Sequence, residues 1–367
     1  MKKSISILKE TLTNEKRIIL LPNHIKKFVD SGYDVFVENN AGAEIGLMNQ
    51  QYEHNGAIIV DTEQAWNCSD LIIKYKAPTE DEYKYLRRGM TVSAIFHAEG
   101  NRTLIEKLCE KGITAYSYEF FETDDGYFPL AMSGGEIAGK IAFIEAAYLL
   151  QTQFGGCGRL LADVHSVPKS KIVVIGYGNV GNAIINMAYK LGNEVVVFGT
   201  NLAKMKKSLS CYGNGIKFYV LNKERLMREV KDADAVFGAI LISTFDTPPI
   251  IDIEVLKCMK KGSILMDVTC GYGQGYMPTF EKQTNLKEPY YIRNGVLHCK
   301  IDNLPAAFPE TTTIAYSNNA ADYLFEMAES IYGIKDDSIS ARGRIIKDGN
   351  IVHSVIKQHM DFYENNK

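Results

Sequence analysis

The chain has 367 residues, of which 46% are hydrophobic and 23% charged, and its formal net charge is -3 at pH 7. This length exceeds what one ordinary hydrophobic core accommodates, so two domains are expected. The absence of a basic excess argues against a nucleic-acid or membrane surface, because no surplus cations exist to neutralise phosphates. Seven scattered cysteines without a CxxC pair favour reduced thiols in a cytoplasmic protein and no metal site.

The first part of the chain alternates short β-branched runs with amphipathic helical patterns. Such alternation implies right-handed crossovers between parallel strands of one sheet. The predicted strands are residues 4–8, 34–38, 57–60, 71–76, 91–96 and 114–118, and the predicted helices are residues 22–31, 80–86 and 102–111.

A helical pattern over residues 135–150 precedes a second alternating unit, with predicted strands at residues 171–175, 194–198, 215–220, 235–239 and 263–268. A long helix over residues 311–332 and a hairpin over residues 344–352 follow, and we expect this tail to pack on the first domain. The predicted fold is therefore α/β, with two doubly wound, Rossmann-like domains and an interdomain cleft. Residues 1–134 plus 306–367 form the predicted substrate (catalytic) domain, and residues 135–305 the predicted dinucleotide-binding domain.

A GxGxxG motif stands between the strand at 171–175 and an apolar-periodic helix. Gly176 permits the tight turn, Gly178 lets the backbone approach a pyrophosphate, and Gly181 allows close helix–strand packing. The alternative is a purely structural glycine turn, but a second strand at the right distance favours a dinucleotide site. The candidate cofactor-binding residues are Gly176, Gly178, Asn179, Val180, Gly181, Gly199, Thr200, Asn201 and Lys204.

Cofactor preference depends on the end of the second strand, where NAD-binding units usually carry an acid that holds the ribose hydroxyls. Gly199 stands there instead, and Lys204, Lys206 and Lys207 follow. The missing carboxylate and the nearby cations favour NADP(H), with NAD(H) possible. The alternative is a solvated lysine-rich turn that binds NAD(H) less tightly.

Several segments, in this order, resemble the alanine dehydrogenase superfamily, which includes N5-(carboxyethyl)ornithine synthase, lysine-forming saccharopine dehydrogenase and the alpha subunit of proton-translocating transhydrogenase. The resemblance covers nearly the whole chain. The segments that carry it are residues 9–17, 40–43, 74–78, 96–97, 136–139, 176–181, 303–306 and 311–313.

Arg17 is a fixed cation with a fork geometry that suits a substrate α-carboxylate, although it is also placed to pair with Glu15 as an exposed arginine. The resemblance implies that Lys76 holds the carboxyl or carbonyl oxygen of the substrate, and it places Asn303 among the substrate-binding residues. Lys74 lies on the same strand face by period-two alternation, so the sequence alone does not separate the two lysines.

His97 follows the predicted strand at 91–96, where a lone histidine is usually a satisfied core or loop residue. Its reference pKa near neutrality also suits a general acid/base, and the resemblance implies that it moves a proton while hydride passes between nicotinamide and the substrate α carbon. Lys76 and His97 end two parallel strands joined by one crossover. We therefore expect them to converge, facing the nicotinamide end of the cofactor.

The chain departs from the family in two places. Gly271 stands where the family has an acid after the last strand of the nucleotide domain, and nearby Asp267 is interpreted as structural. Glu310 replaces an arginine that follows the Asn-Leu-Pro segment. An altered substrate or mechanism is therefore expected.

The expected reaction is reduction of the imine of a small, pyruvate-like 2-oxo acid and an amine by NAD(P)H. The missing acid favours an opine-type product, similar to that of carboxyethylornithine synthase, over the alternative, the interconversion of L-alanine with pyruvate and ammonia. A non-catalytic NAD(P)-binding sensor is a further alternative, which the combination of Arg17, Lys76 and His97 disfavours. The resemblance also implies a homo-oligomer.

Overall fold

The computed structural model describes residues 2–208, 210–240, 248–269 and 275–365. They form two compact units, Met1–Gly134 with Phe308–Lys367 (unit 1) and Gly135–Ala307 (unit 2). Among the described helices, none combines the length and the apolar character needed to cross a membrane.

Unit 1 begins with strands and helices that alternate in parallel β–α–β fashion. In chain order they are β1 Ser4–Ile7, α1 Pro22–Asp30, β2 Asp34–Glu38, α2 Asn49–His54, β3 Ile58–Val60, α3 Thr62–Asn67, β4 Leu71–Lys76, β5 Thr91–Ile95, α4 Arg102–Glu110, β6 Thr114–Ser117 and α5 Ala131–Leu149, the last of which continues into unit 2. The predicted helix between β4 and β5 is observed as a 3₁₀ helix, Glu80–Tyr85. Glu82 in this segment turns inward, where its carboxylate accepts hydrogen bonds from the Thr79 backbone N–H and from Lys74.

Unit 2 contains the second series of strands and helices. They are β7 Lys171–Ile175, α6 Asn179–Lys190, β8 Glu194–Gly199, α7 Leu202–Ser208, β9 Ile216–Val220, α8 Lys223–Val230, β10 Ala235–Gly238, α9 Ile253–Cys258, β11 Ile264–Asp267, β12 Tyr291–Arg293 and β13 Val296–Cys299. The sheet order is β12-β13-β11-β10-β7-β8-β9, in which the β12–β13 pair is antiparallel and the other pairs are parallel. Asn294 and Gly295 join β12 to β13 with positive φ angles of 52° and 78°. These angles suit a two-residue hairpin turn.

The remaining elements return to unit 1: α10 Pro309–Ile331, α11 Ser338–Arg342, β14 Arg344–Lys347, β15 Asn350–Ile351 and α12 Ser354–Asn365. The predicted hairpin is confirmed as β14 and β15, which pair antiparallel and extend the first sheet beyond β6. That sheet has the order β15-β14-β6-β5-β4-β1-β2-β3. Tyr316, Leu324 and Met327 of α10 are buried in the core that covers β1 and β4. Unit 1 is thus built from both ends of the chain.

The centre of the first sheet is buried on both faces, as expected of a parallel sheet covered by helices. All six residues of β4 are buried, including Lys74 and Lys76. Two ammonium groups in such a strand require polar partners, because an uncompensated buried charge costs several kcal/mol, on the order of 3–5. The partners of these two lysines define the site described next.

Candidate functional site

Lys76 and His97 meet at the carboxyl ends of β4 and β5. The Nζ atom of Lys76 lies 2.8 Å from Nε2 of His97. The predicted proximity of the two residues is therefore observed, and it follows from the parallel pairing of the two strands. Open α/β sheets bind their ligands at this edge.

Glu119 holds the backbone of His97 from the end of the next strand, β6. Its Oε1 atom accepts a hydrogen bond from the His97 backbone N–H at 2.7 Å, and Oε2 accepts one from the Phe96 N–H at 3.2 Å. The Ser117 hydroxyl also donates to this carboxylate. His97 has a left-handed backbone with φ 45° and ψ 47°, which is uncommon outside glycine, and two charge-assisted hydrogen bonds stabilise it there.

The contact with Lys76 determines how the His97 ring is protonated. A lysine ammonium can only donate, so Nε2 is the acceptor and the proton of the neutral ring lies on Nδ1. Nδ1 lies 3.7 Å from Oε1 of Glu119, on the side of the ring where a negative charge favours an N–H group. In this arrangement Nε2 is the ring atom that accepts a hydrogen bond, and Nδ1 carries the proton.

Arg17 is buried, contrary to the alternative that treats it as an exposed arginine. The expected pairing with Glu15 is nevertheless present: Nε donates to Oε1 at 2.6 Å and Nη2 donates to Oε2. Nη1 donates to the Tyr75 hydroxyl at 3.1 Å, and the guanidinium lies over the Tyr75 ring. Burial alone would raise the pKa of Glu15, but the hydrogen bonds and charge of Arg17, with a smaller effect of Lys76, lower it.

Lys74 occupies a different environment from Lys76. It is wholly buried, and its Nζ atom lies 2.8 Å from Oε1 of Glu82 and 3.8 Å from Oε2 of Glu10. Burial raises the pKa of Glu10 to about 7, although the Lys74 charge opposes this shift. Lys74 is therefore a structural cation, and Lys76 is the lysine that reaches His97.

The glycine-rich turn lies between β7 and α6. Gly176 has φ 104°, and its backbone N–H donates to the Phe198 carbonyl at 2.9 Å, which ties the turn to β8. A Cβ at Gly178 would meet no described heavy atom within 4 Å, whereas one at Gly181 would collide with the Gly176 carbonyl. Gly178 is the N-cap of α6 and has no side-chain cap. An open backbone before the uncapped end of a helix fits a dinucleotide pyrophosphate.

The other cofactor candidates surround this turn. Asn179 and Val180 begin α6, Gly199 ends β8, and Thr200 and Asn201 connect β8 to α7. The Asn201 side chain accepts the Lys204 backbone N–H at 2.9 Å and thereby caps α7. Lys204, Lys206 and Lys207 are exposed.

Two further predicted residues fall in unit 2, and one falls outside the described residues. Asn303 precedes the 3₁₀ segment Leu304–Ala307, with a left-handed φ of 57°. Asp267 is buried, forms an ion pair with Lys300 at 2.9 Å and accepts the Thr269 N–H, as expected of a structural residue. Gly271 lies outside the described residues. In the described part of the chain, no cluster of three or more His, Cys, Asp or Glu residues is arranged to hold a metal ion.

Sequence reasoning missed Glu119, Glu10 and Tyr177 as parts of these sites. Glu119 follows the strand next to β5, so its position at the same sheet edge was the available signal. Glu10 lies inside a segment that carries the family resemblance, and Tyr177 lies inside the glycine motif itself.

A lysine–histidine pair at the edge of one parallel sheet and a glycine-rich turn in a second α/β unit define a dinucleotide-dependent oxidoreductase. The family model "Alanine dehydrogenase/PNT, N-terminal domain" matches residues 6–138, and "Alanine dehydrogenase/PNT, C-terminal domain" matches residues 142–354. The chain belongs to the alanine dehydrogenase/PNT family. It is an NAD(P)-dependent oxidoreductase that acts on the amino group of its donor.

Similarity to individual relatives extends over nearly the whole chain. Alanine dehydrogenase of Bacillus subtilis (strain 168) is 31% identical over 98% of this chain and 95% of its own length. A solved L-alanine dehydrogenase structure has a TM-score of 0.88 and 28% identity over 98% of this chain and 99% of its own. The transhydrogenase structure from Sinorhizobium meliloti has a TM-score of 0.75 and 25% identity over 96% of this chain and 99% of its own.

Proposed function

We propose that this protein is an alanine dehydrogenase, which converts L-alanine and water into pyruvate and ammonia with NAD(P)⁺ as hydride acceptor, and catalyses the reverse reaction. The observation that carries the proposal is the 2.8 Å contact between Lys76 and His97 in a chain similar along its length to alanine dehydrogenases. The preference for an opine-type product has less support, because these relatives are named for alanine. The acid whose loss suggested it corresponds to Gly271, outside the described residues.

His97 acts as the general acid/base in this proposal. In alanine oxidation its neutral Nε2 atom takes the proton released from the substrate amine or from attacking water, and Glu119 stabilises the resulting positive ring. In the reverse direction Lys76 leaves Nε2 and donates to the carbonyl oxygen of pyruvate as that oxygen gains negative charge on attack by ammonia. When bound, the nicotinamide supplies hydride transfer to or from the substrate α carbon.

Arg17 is the proposed anchor of the substrate carboxylate, and Asn303 is a further proposed substrate-binding residue. The bidentate pair with Glu15 fixes the plane of the guanidinium, so a carboxylate would meet it in one orientation. Gly176, Gly178, Asn179, Val180, Gly181, Gly199, Thr200, Asn201 and Lys204 are the proposed cofactor-binding residues. We retain NADP(H) as the favoured cofactor, a homo-oligomeric state and a cytoplasmic location as predictions.

The test is a substrate screen in which the absorbance of the reduced cofactor is monitored. In the oxidative direction L-alanine should reduce NAD⁺ or NADP⁺. In the reductive direction pyruvate with ammonia should oxidise NADH or NADPH faster than pyruvate with ornithine or lysine. It should also be faster than glyoxylate or 2-oxoglutarate combined with ammonia, ornithine or lysine.

Two outcomes would overturn the proposal. Cofactor oxidation that requires ornithine or lysine in place of ammonia would instead establish the opine-type reaction. Tight NAD(P)H binding without oxidation in any combination would establish a non-catalytic sensor. Variants of Lys76 and of exposed Lys84 give a matched comparison, since only the former contacts His97.

A further inference from the structure

Tyr177, the residue after the first glycine of the turn, packs its ring against the end of β8. A Cβ atom at Gly199 would lie closer to ring carbon Cε1 of Tyr177 than van der Waals contact allows. It would lie 2.7 Å from both ring carbon Cδ1 and the Met205 sulfur. The Tyr177 hydroxyl donates to the Asn201 carbonyl at 3.3 Å. The ring therefore takes the space that any side chain at position 199 would require.

This position has a defined role in dinucleotide-binding units, because the second strand usually ends in an acid that bonds the adenosine ribose. Charge gives one explanation for Gly199, because the absence of a carboxylate at this position lets the protein tolerate a 2′-phosphate. The structure adds a steric reason, since a Cβ atom at position 199 requires the Tyr177 ring or the Met205 side chain to shift. An acid introduced at position 199 alone would displace the ring or the turn.

We propose that Tyr177 takes over the contact with the adenosine ribose that an acid makes in other dinucleotide-binding units, and that it requires position 199 to be glycine. The proposal rests on the dinucleotide-binding role assigned to the turn. Tyr177 is the residue between Gly176, which is tied to β8, and Gly178, which is open to a ligand. Its ring offers an apolar wall and a neutral hydroxyl to the ribose.

The neutral ring has a consequence for cofactor selection. A carboxylate accepts two hydrogen bonds from a ribose diol and repels a 2′-phosphate, whereas a phenol does neither as strongly. Tyr177 therefore provides affinity for the adenosine end without strong discrimination at the 2′ position. Any preference for NADPH then comes from exposed lysines such as Lys204, and it should weaken as salt increases.

The test is a double-mutant cycle measured by binding. The variants are Tyr177→Ala, Gly199→Ala, Gly199→Asp and the two double variants that contain Tyr177→Ala. Affinities for NADH and NADPH come from fluorescence titration and that for ADP-ribose from calorimetry, so no amino-acid substrate is needed. Thermal unfolding of each variant reports whether it is folded.

Tyr177→Ala should weaken binding of all three ligands by about tenfold, the typical value of one well-packed aromatic contact. Gly199→Ala should weaken binding in the presence of Tyr177 and have little effect in its absence. Gly199→Asp alone should weaken NADH and NADPH binding alike. With Tyr177→Ala it should favour NADH over NADPH by at least about tenfold, because the acid then reaches the ribose.

Tyr189→Ala is the matched control. Its ring covers Gly215 in unit 2 much as Tyr177 covers Gly199, but it lies on α6 away from the glycine turn, and its removal should leave all three affinities unchanged. Unchanged ADP-ribose binding by Tyr177→Ala would overturn the proposal, as would an NADH preference with intact affinity in Gly199→Asp alone. If Tyr177→Ala does not fold, Gly199→Ala tests the same contact from the other side. An unmodified protein that binds none of the three ligands would instead refute the dinucleotide role of the turn.

Discussion

Lys76 lies opposite Ile95 in the β4–β5 pair, and Ile73 lies opposite Ser93. Lys76 is three residues beyond Ile73 on β4, whereas Ile95 is only two residues beyond Ser93 on β5. The additional residue is a β-bulge, which interrupts the ladder and redirects side chains. The Tyr75 backbone N–H donates to Oε1 of Glu10 at 2.8 Å. The bulge gives Lys74 and Lys76 separate environments, and Glu10 satisfies the backbone group within it.

Replacement of Glu10 should therefore disturb the site through the backbone. Glu10→Ala leaves the Tyr75 N–H and Lys74 each without one partner, and should lower the free energy of unfolding by about 2 kcal/mol and reduce kcat. Glu10→Gln retains an oxygen acceptor and should keep most of the activity. Urea unfolding and steady-state kinetics measure both effects, with Glu53→Ala on the exposed face of α2 as control. Normal stability and kcat in Glu10→Ala would refute this role for the carboxylate.

The raised pKa of Glu10 predicts a dependence of stability on pH. The pKa is about 7 in the folded protein and 4.5 as the reference value, so the folded state binds the proton more tightly. This contribution to stability is complete below pH 4.5 and is lost as the pH rises through 7. The difference in unfolding free energy between the unmodified protein and Glu10→Gln should shift by on the order of 2–3 kcal/mol between pH 4.5 and pH 8. A constant difference across this range would contradict the prediction.

His97→Asn tests the proton transfer with little change to the backbone. Asparagine tolerates the left-handed conformation that position 97 adopts, so the loss of the ring is separated from backbone strain. Turnover of alanine should fall by about 10²–10⁴-fold while NAD(P)H binding persists. His54→Asn, in an exposed histidine of α2, is the control and should retain turnover. Retained turnover in His97→Asn would exclude His97 as the acid/base.

Substitution of Arg17 should affect both stability and substrate binding. Arg17→Ala removes the bidentate partner of the buried Glu15 carboxylate and should lower the free energy of unfolding by about 3–5 kcal/mol. The double variant Glu15→Ala with Arg17→Ala removes both charges and should lose less stability. Both variants should raise the KM for pyruvate, because the proposed carboxylate anchor is absent in each, while the Kd for NADPH stays the same. A double variant with normal KM would show that Arg17 only balances Glu15.

The sequence predicts best those features that depend on strand order. Lys76 and His97 end consecutive parallel strands. To predict that they lie close together, it was therefore enough to know the direction of the crossover that joins the strands. The β12–β13 hairpin was missed although Asn294-Gly295 is a strong turn signal, because the flanking runs are short.

The remaining features depend on three-dimensional packing that no local pattern encodes. The separation of Lys74 from Lys76 depends on a bulge, which breaks the alternation on which a sequence argument relies. Glu119 follows a third strand, β6, and the reason for Gly199 is the ring of a residue 22 positions earlier. In each case the deciding neighbour is distant in sequence.

The position of α10 determines when the candidate site can be completed during synthesis. The loop that carries Arg17 depends on this helix, because the Ile18 N–H donates to Thr313 Oγ1 and the Ser317 hydroxyl donates to the Ile19 carbonyl. Tyr316 packs on Tyr75 with ring centroids 5.1 Å apart. The ribosome makes all of unit 2 before α10, so unit 2 can fold while the candidate site in unit 1 still lacks one wall. A nascent chain that has not yet released α10 therefore carries Arg17 without the helix contacts that hold its loop.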